Sequence, residues 1–303
     1  MIDDISTIMD STIRLVNLLM FAALGEYVAE RAGTINISLE GMMLGGAYGA
    51  AIGSSELGSP VAGIFCGMAV GLLVATAQAH LSHNLNANQF VVGLALSALI
   101  LGLTTFFFIE IDMAVGRIGT LEIPLLSEIP ILGKAVFSQR WLGYFTFALI
   151  PFVWWLLQRT TWGLEVRSVG ENPAAADASG VPVLARRRQA IYLCGILAGL
   201  SGAYLSVSVV GSFSQNMTAG KGFIAIAAVL FGGWRLWGVV AGAALFGLAD
   251  ALRIALPAVG VQNIPGPLLD SFPFVLALAV LLVFATRARK PAALAEPFVR
   301  GGG

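Results

Sequence analysis

Charge is what this chain has least of. Asp, Glu, Lys and Arg make up 11% of its 303 residues, against about 25% in a soluble globular domain. Lys+Arg and Asp+Glu total 17 each, so no net charge is available to recruit nucleic acid or another polyanion. Cysteine is nearly absent, and Cys66 and Cys194 both lie in apolar runs. They read as small buried hydrophobes, not as a disulfide framework or a metal pair. The only histidines, His80 and His83, have no acid or cysteine near them in sequence to complete a zinc site. No Gly-x4-Gly-Lys-Ser/Thr run occurs. Gly133-Lys134-Ala135 lacks both the first glycine and the hydroxyl, so the chain is expected to hydrolyse no ATP of its own. The first residues, Met1 to Ile5, carry no basic stretch and no small-residue cleavage site. The first membrane helix is therefore expected to direct insertion.

What is abundant is apolar: 57% hydrophobic residues, 36 glycines and a mean hydropathy of +0.86. A helix needs about 20 apolar residues to cross a bilayer. Nine stretches qualify, at 13–31, 37–53, 60–80, 88–110, 141–158, 188–210, 222–237, 238–256 and 270–286. The expectation is an all-α, polytopic membrane protein, a bundle of about nine helices (8–10) forming one domain over 1–303. The stretches 37–53 and 222–237 are short enough for a half-helix or a re-entrant segment, with a break expected near 33–41.

Positive charge gathers in loop 159–188, which holds Arg159, Arg167 and Arg186 to Arg188, and in the tail 287–303, which holds Arg287, Arg289, Lys290 and Arg300. Both are expected on the cytoplasmic side of a bacterial inner membrane. An odd number of spans then puts the N-terminus, with Asp3, Asp4 and Asp10, outside. Loop 111–140, with Asp112, Glu122 and Glu128, falls on the same outer side, although Arg117, Lys134 and Arg140 weaken the contrast.

Glycines recur every four residues at 41, 45, 49 and 53, at 63, 67 and 71, at 195 and 199, and at 238 and 242. That spacing puts each set on one helix face and predicts close helix packing. Gly199-Leu200-Ser201-Gly202 is similar to the motif of intramembrane serine proteases, but no histidine follows position 83 to act as base. Ser201 is therefore assigned to packing.

Ionisable side chains inside spans cost about 2.5–3.5 kcal/mol on insertion scales, so each needs a reason. Between the first two spans lie Glu26, Glu30, Arg31, Gly33, Asn36, Ser38, Glu40 and Gly41. Either Asn36 or Ser38 is placed to cap the second helix, with its positive end facing a cavity. A plain solvated turn would account for Glu30 and Arg31 instead. Asp250 has Arg253 one turn on, which suits an ion pair as well as a substrate contact. Asn88 and Gln89 read as helix-capping residues, and Ser212 to Met217 as a turn or the lining of an outer vestibule.

In loop 159–188, Asn172 can cap a short helix with Pro173 at its first position, and Gly180 ends it. A helix this short is marginal in water, so it is expected to dock on something.

The runs Glu30 to Met43 and Val169 to Gly180, in that order, closely resemble permeases of ABC importers. The group is the one that includes ribose and branched-chain amino acid permeases, and the match is nearest to its nucleoside branch. The resemblance implies an integral subunit that pairs with a second permease, usually a different one. A cytoplasmic ABC ATPase, which holds ATP and Mg, would drive it, and an extracytoplasmic substrate-binding lipoprotein would deliver a small molecule. The chain itself would bind no cofactor and would contact membrane lipid. By that resemblance Gly170, Glu171, Asn172, Pro173, Ala174, Asp177 and Gly180 belong to a coupling helix seated in the ATPase. The candidate pathway residues are Glu26, Asn36, Ser38, Glu40, Phe213, Asn216 and Asp250. A neutral, flat nucleoside would be met by amides, hydroxyls and aromatics. Simple sugars, riboflavin and branched-chain amino acids remain open within the same architecture. A secondary carrier or channel working without ATP is the alternative from another class.

Overall fold

The computed structural model describes residues 2–110, 115–122, 136–258, 265, 268–269, 271–273, 275–276, 278–279 and 289–299. The expected last span, 270–286, lies largely outside them, as do Asp112, Glu128, Lys134, Arg287 and Arg300. The described residues at 271–273, 275–276 and 278–279 are helical.

The chain begins with α1 (Ile2–Arg31), α2 (Leu39–Glu56) and α3 (Pro60–Ala79), which runs on through a π-turn at His80–Asn84. Next come α4 (Gln89–Glu110) and two short strands, β1 (Thr120–Glu122) and β2 (Ser138–Arg140). These pair antiparallel, Leu121 opposite Gln139, so the long loop departs from the purely helical expectation. Then follow α5 (Trp141–Arg159), α6 (Thr161–Glu171), α7 (Pro173–Ala178) and α8 (Val183–Ala203) with a π-helical continuation at Tyr204–Val210. α9 (Lys221–Phe231) and α10 (Leu236–Ala258) come next.

Among the described residues, six helical stretches are long and apolar enough to cross a membrane: Ile8–Arg31, Pro60–Asn84, Gln89–Phe108, Trp141–Arg159, Val183–Val210 and Leu236–Ala255. α2, at 18 residues, and α9, at 11, are not among them. Those two are the short segments the sequence singled out.

Local chemistry sets the helix ends. Pro60 opens α3 directly after an extended Ser59, where its missing N–H costs nothing. Asn88 caps α4, its Oδ1 accepting from the amides of Phe90 (3.0 Å) and Val91 (3.3 Å). Gly33, at φ +84°, turns the chain out of α1.

The core is a three-helix seam of α2, α3 and α8 built on the glycine stripes. A Cβ at Gly71 would lie 2.2 Å from Gly195 O, one at Gly46 2.6 Å from Gly199 Cα, and one at Gly202 1.9 Å from Met43 O. Gly41 instead faces α4, against Ser97, so the stripe on α2 serves two neighbours. Ser201 donates to Leu18 O at 2.6 Å and joins α8 to α1. Outward faces are apolar, with Phe90, Val91, Leu94 and Phe106 of α4 and Phe145, Phe152 and Trp155 of α5 all exposed. In water such a surface would aggregate; against lipid it is at home.

One end of the bundle is closely knit. Thr34 Oγ1 meets His83 Nε2 at 3.2 Å, and Gln89 Oε1 accepts from Ile35 N at 3.0 Å. The tail returns to this end, where Ala293 N donates to Gly170 O and Ala295 N to Gly33 O, both at 3.0 Å.

Candidate functional site

Between α1 and α2 the backbone leaves helical geometry at residues 32–38 and climbs back into the bundle. Asn36 measures how far. Its Nδ2 lies 3.3 Å from Cys194 Sγ, and Cys194 stands eleven residues beyond the start of α8 at Val183, about 16 Å along it. Ser97, whose Oγ donates to Ile37 O at 3.2 Å, is eight residues into α4, about 12 Å along that helix. α2 therefore starts deep inside the bundle.

A buried polar knot holds this break. Glu26 Oε1 accepts from Asn36 N (3.0 Å), and Cys194 Sγ lies 3.5 Å from Glu26 Oε2. Asn36 Nδ2 also reaches Met42 Sδ at 3.2 Å, and Ser38 Oγ donates to Asn36 Oδ1 at 2.6 Å. Glu26, Asn36 and Ser38 are fully buried, so within this chain they bind one another. Ser38 occupies the cap position of α2, but its side chain makes no capping bond. Its hydroxyl is spent on Asn36 instead. Cys194 is not merely an apolar filler, since it sits among Glu26 and Asn36. Glu30 is also fully buried and accepts from Trp234 Nε1, which replaces the solvated-turn reading. Arg31 lies 4.0 Å from Glu171.

A second break faces the first. After α8 the chain passes Gly211 and descends beside α2 to start α9. Phe213 packs edge-on to Tyr48 with ring centroids 5.1 Å apart, and lies 5.6 Å from Phe108. Five residues later, Thr218 Oγ1 donates to Glu40 Oε1 at 2.5 Å. Tyr48 to Glu40 is two turns of α2, about 12 Å of descent. The same carboxylate accepts from Gly220 N (2.9 Å, Oε1) and Gly222 N (2.6 Å, Oε2). Two helix N-termini, of α2 and α9, thus converge on the Glu40 carboxylate, where their partial positive charges favour an anion. Lys221, first residue of α9, lies 3.7 Å from Asp250, which Arg253 Nε meets at 2.9 Å. Asp250 is therefore a structural ion-pair centre.

The segment at 211–220 is strained as well as re-entrant. Gly211, Asn216, Ala219 and Gly220 all have positive φ, from +46° to +83°, a region that costs non-glycine residues free energy. Ser214, Gln215 and Asn216 are exposed, while Phe213 is buried.

At the knit end, Asn172 caps α7, its Oδ1 accepting from Ala175 N at 3.0 Å, with Pro173 at the first position. Gly180 follows at φ +85°. Gly170 and Glu171 close α6, a helix the sequence reading did not foresee. Gly170 is pressed onto the Gly33 turn, where a Cβ would lie 2.2 Å from Arg31 O. Glu171, Asn172, Ala174 and Gly180 are exposed; Pro173 and Asp177 are half-buried. Ala176 packs inward with Val169 and Val183, against Phe298 of the tail. Arg187, not singled out from sequence for any role of its own, is fully buried and donates to Glu296 O at 2.6 Å and to Ala293 O at 3.4 Å. Three adjacent arginines signal a helix end, not which one turns inward.

Residues 8–286 match the family model described as branched-chain amino acid transport system / permease component. The chain is 34% identical to a putative glucose ABC transporter permease, TsgC13, of Haloferax volcanii, covering 97% of each chain. It is also 34% identical to the nucleoside ABC transporter permease NupC of Lactococcus lactis, over 91% of each. To the guanosine ABC transporter permease NupQ of Bacillus subtilis it is 33% identical over 98% of each.

Proposed function

The chain belongs to the family of branched-chain amino acid transport system permease components, and from that premise we propose that it forms the pathway of an ABC importer for nucleosides. It is a multi-pass membrane transport subunit without an ATPase domain. Work and substrate then come from other chains: a cytoplasmic ABC ATPase holding ATP and Mg, and an extracytoplasmic binding protein. A second, non-identical permease completes the pathway.

Two observations support the nucleoside reading: the nucleoside and guanosine permeases among the relatives, and the exposed segment at 214–216. Ser214, Gln215 and Asn216 offer hydroxyl and amide groups without charge, beside the Phe213–Tyr48 aromatic pair. That chemistry suits a neutral solute with a flat ring. A simple sugar is the second reading, favoured by the glucose permease relative.

The knit end faces the cytoplasm in this account, and α7 with its flanking Glu171 and Gly180 docks on the ATPase. Closure of the ATPase then pushes α6 and α7 against the Gly33 turn, which Gly170 touches, and so moves the α1–α2 break. Reconstitution with the partner subunits and labelled guanosine tests the substrate. ATP-dependent uptake competed by other nucleosides and not by glucose supports the reading; competition by glucose alone replaces it with a sugar importer.

A further inference from the structure

Polar side chains and irregular backbone survive within a membrane bundle only where protein or a water-filled cavity meets them. Segment 211–220 has protein along one edge and an exposed edge along the other. Its buried edge is Phe213 against α2 and Thr218 on Glu40, and its exposed edge is Ser214, Gln215 and Asn216. Its own turns supply backbone bonds, Met217 N to Ser214 O at 3.2 Å and Ala219 N to Asn216 O at 3.0 Å, but four of its residues lie at positive φ, and α9 receives no side-chain cap from Gly220. Glu40 ties the segment's inner end to α2, taking one hydroxyl and two amide donors from residues 218–222. The Lys221–Asp250 pair adds a tie to α10.

We propose that Glu40 is a positioning residue for translocation. It does not touch substrate; it fastens the start of α9 to the start of α2, so that Ser214, Gln215 and Asn216 stand in the pathway and move when α2 moves. This rests on the importer reading, and it gives Glu40 a different role from a lining residue. Its two oxygens accept three bonds from residues 218–222.

The test uses the full transporter, with its ATPase and binding protein, in proteoliposomes. Asn216→Cys is labelled with a polar maleimide, and the parent chain, with its own Cys66 and Cys194, sets the background. In the Asn216→Cys chain, nucleoside slows labelling. Adding Glu40→Gln changes the labelling rate and raises the KM for uptake by about tenfold, the equivalent of one lost charge-assisted bond. Recovery of the assembled complex stays the same. Thr218→Val, which removes one donor and no charge, moves both readouts the same way by a smaller factor. Unchanged KM and labelling in both variants overturn the proposal. Loss of assembled complex with Glu40→Gln, together with a neutral Thr218→Val, also overturns it and leaves Glu40 a folding role alone. If the parent chain shows no ATP-dependent uptake, the importer reading fails first. The labelling rates then still report whether Glu40 sets the position of residue 216.

Discussion

The guanidinium of Arg187 ends on the backbone of Glu296, Nη1 to carbonyl oxygen 2.6 Å, although 109 residues separate them. With Nη2 at 3.4 Å from Ala293 O, one fully buried cation rivets the C-terminal segment across the Gly33 turn and the end of α6. Residues 293–296 of the tail are thus part of the packed end of the bundle.

Arg187→Met should release this segment. Hydrogen bonds to a charged group contribute about 1.5–3 kcal/mol each, so a loss of about 3 kcal/mol is expected. Hydrogen exchange reads it directly: the amides of Ala293 and Ala295, bonded to Gly170 O and Gly33 O, should lose protection while those of α8 keep theirs.

At the glycine seam, Gly202→Val should abolish assembly. Its Cβ would lie 1.9 Å from Met43 O and 2.6 Å from Ala47 N, and backbone cannot yield as a side-chain tip can. Size-exclusion profiles in detergent should show aggregate in place of folded chain. Gly102→Ala, where nothing lies within 4 Å, should behave as the parent.

Trp234→Phe keeps a ring but removes the Nε1–H that donates to Glu30. The carboxyl group is fully buried. Leaving it bare should cost about 1–3 kcal/mol, visible as a lower melting temperature in detergent.

Asn172→Ala removes the cap of α7, where Asn172 Oδ1 holds Ala175 N. The expected cost is about 1 kcal/mol of local stability, with faster exchange at Ala175 and weaker co-purification of the ATPase. Asn172→Asp, which can cap equally well, should restore the exchange rate.

How much of this the sequence disclosed follows from the range of each signal. Helix caps and glycine stripes depend on neighbours within a turn or two, so Asn172 with Pro173 and the stripes on α2, α3 and α8 were legible. The break near 33–41 was legible because acids and amides interrupted apolar runs. Pairings across the bundle were not. Nothing local tells that Glu40 meets Gly222, or that Cys194 stands beside Asn36, because those partners are 182 and 158 residues apart. Asp250 was half legible: its partner Arg253 lies one turn on, whereas Lys221 belongs to another helix. The strand pair β1–β2 was missed because each strand has three residues, too few to show an alternation.

The most direct test of the central claim is uptake of labelled guanosine into proteoliposomes holding this chain, its partner permease and the ATPase, with binding protein outside and ATP inside. The account predicts accumulation that needs ATP and binding protein and is lost when Asn172 to Gly180 are replaced by a flexible Gly-Ser stretch. Equal uptake by this chain alone, without ATP or partners, would contradict it and make the protein a self-contained carrier.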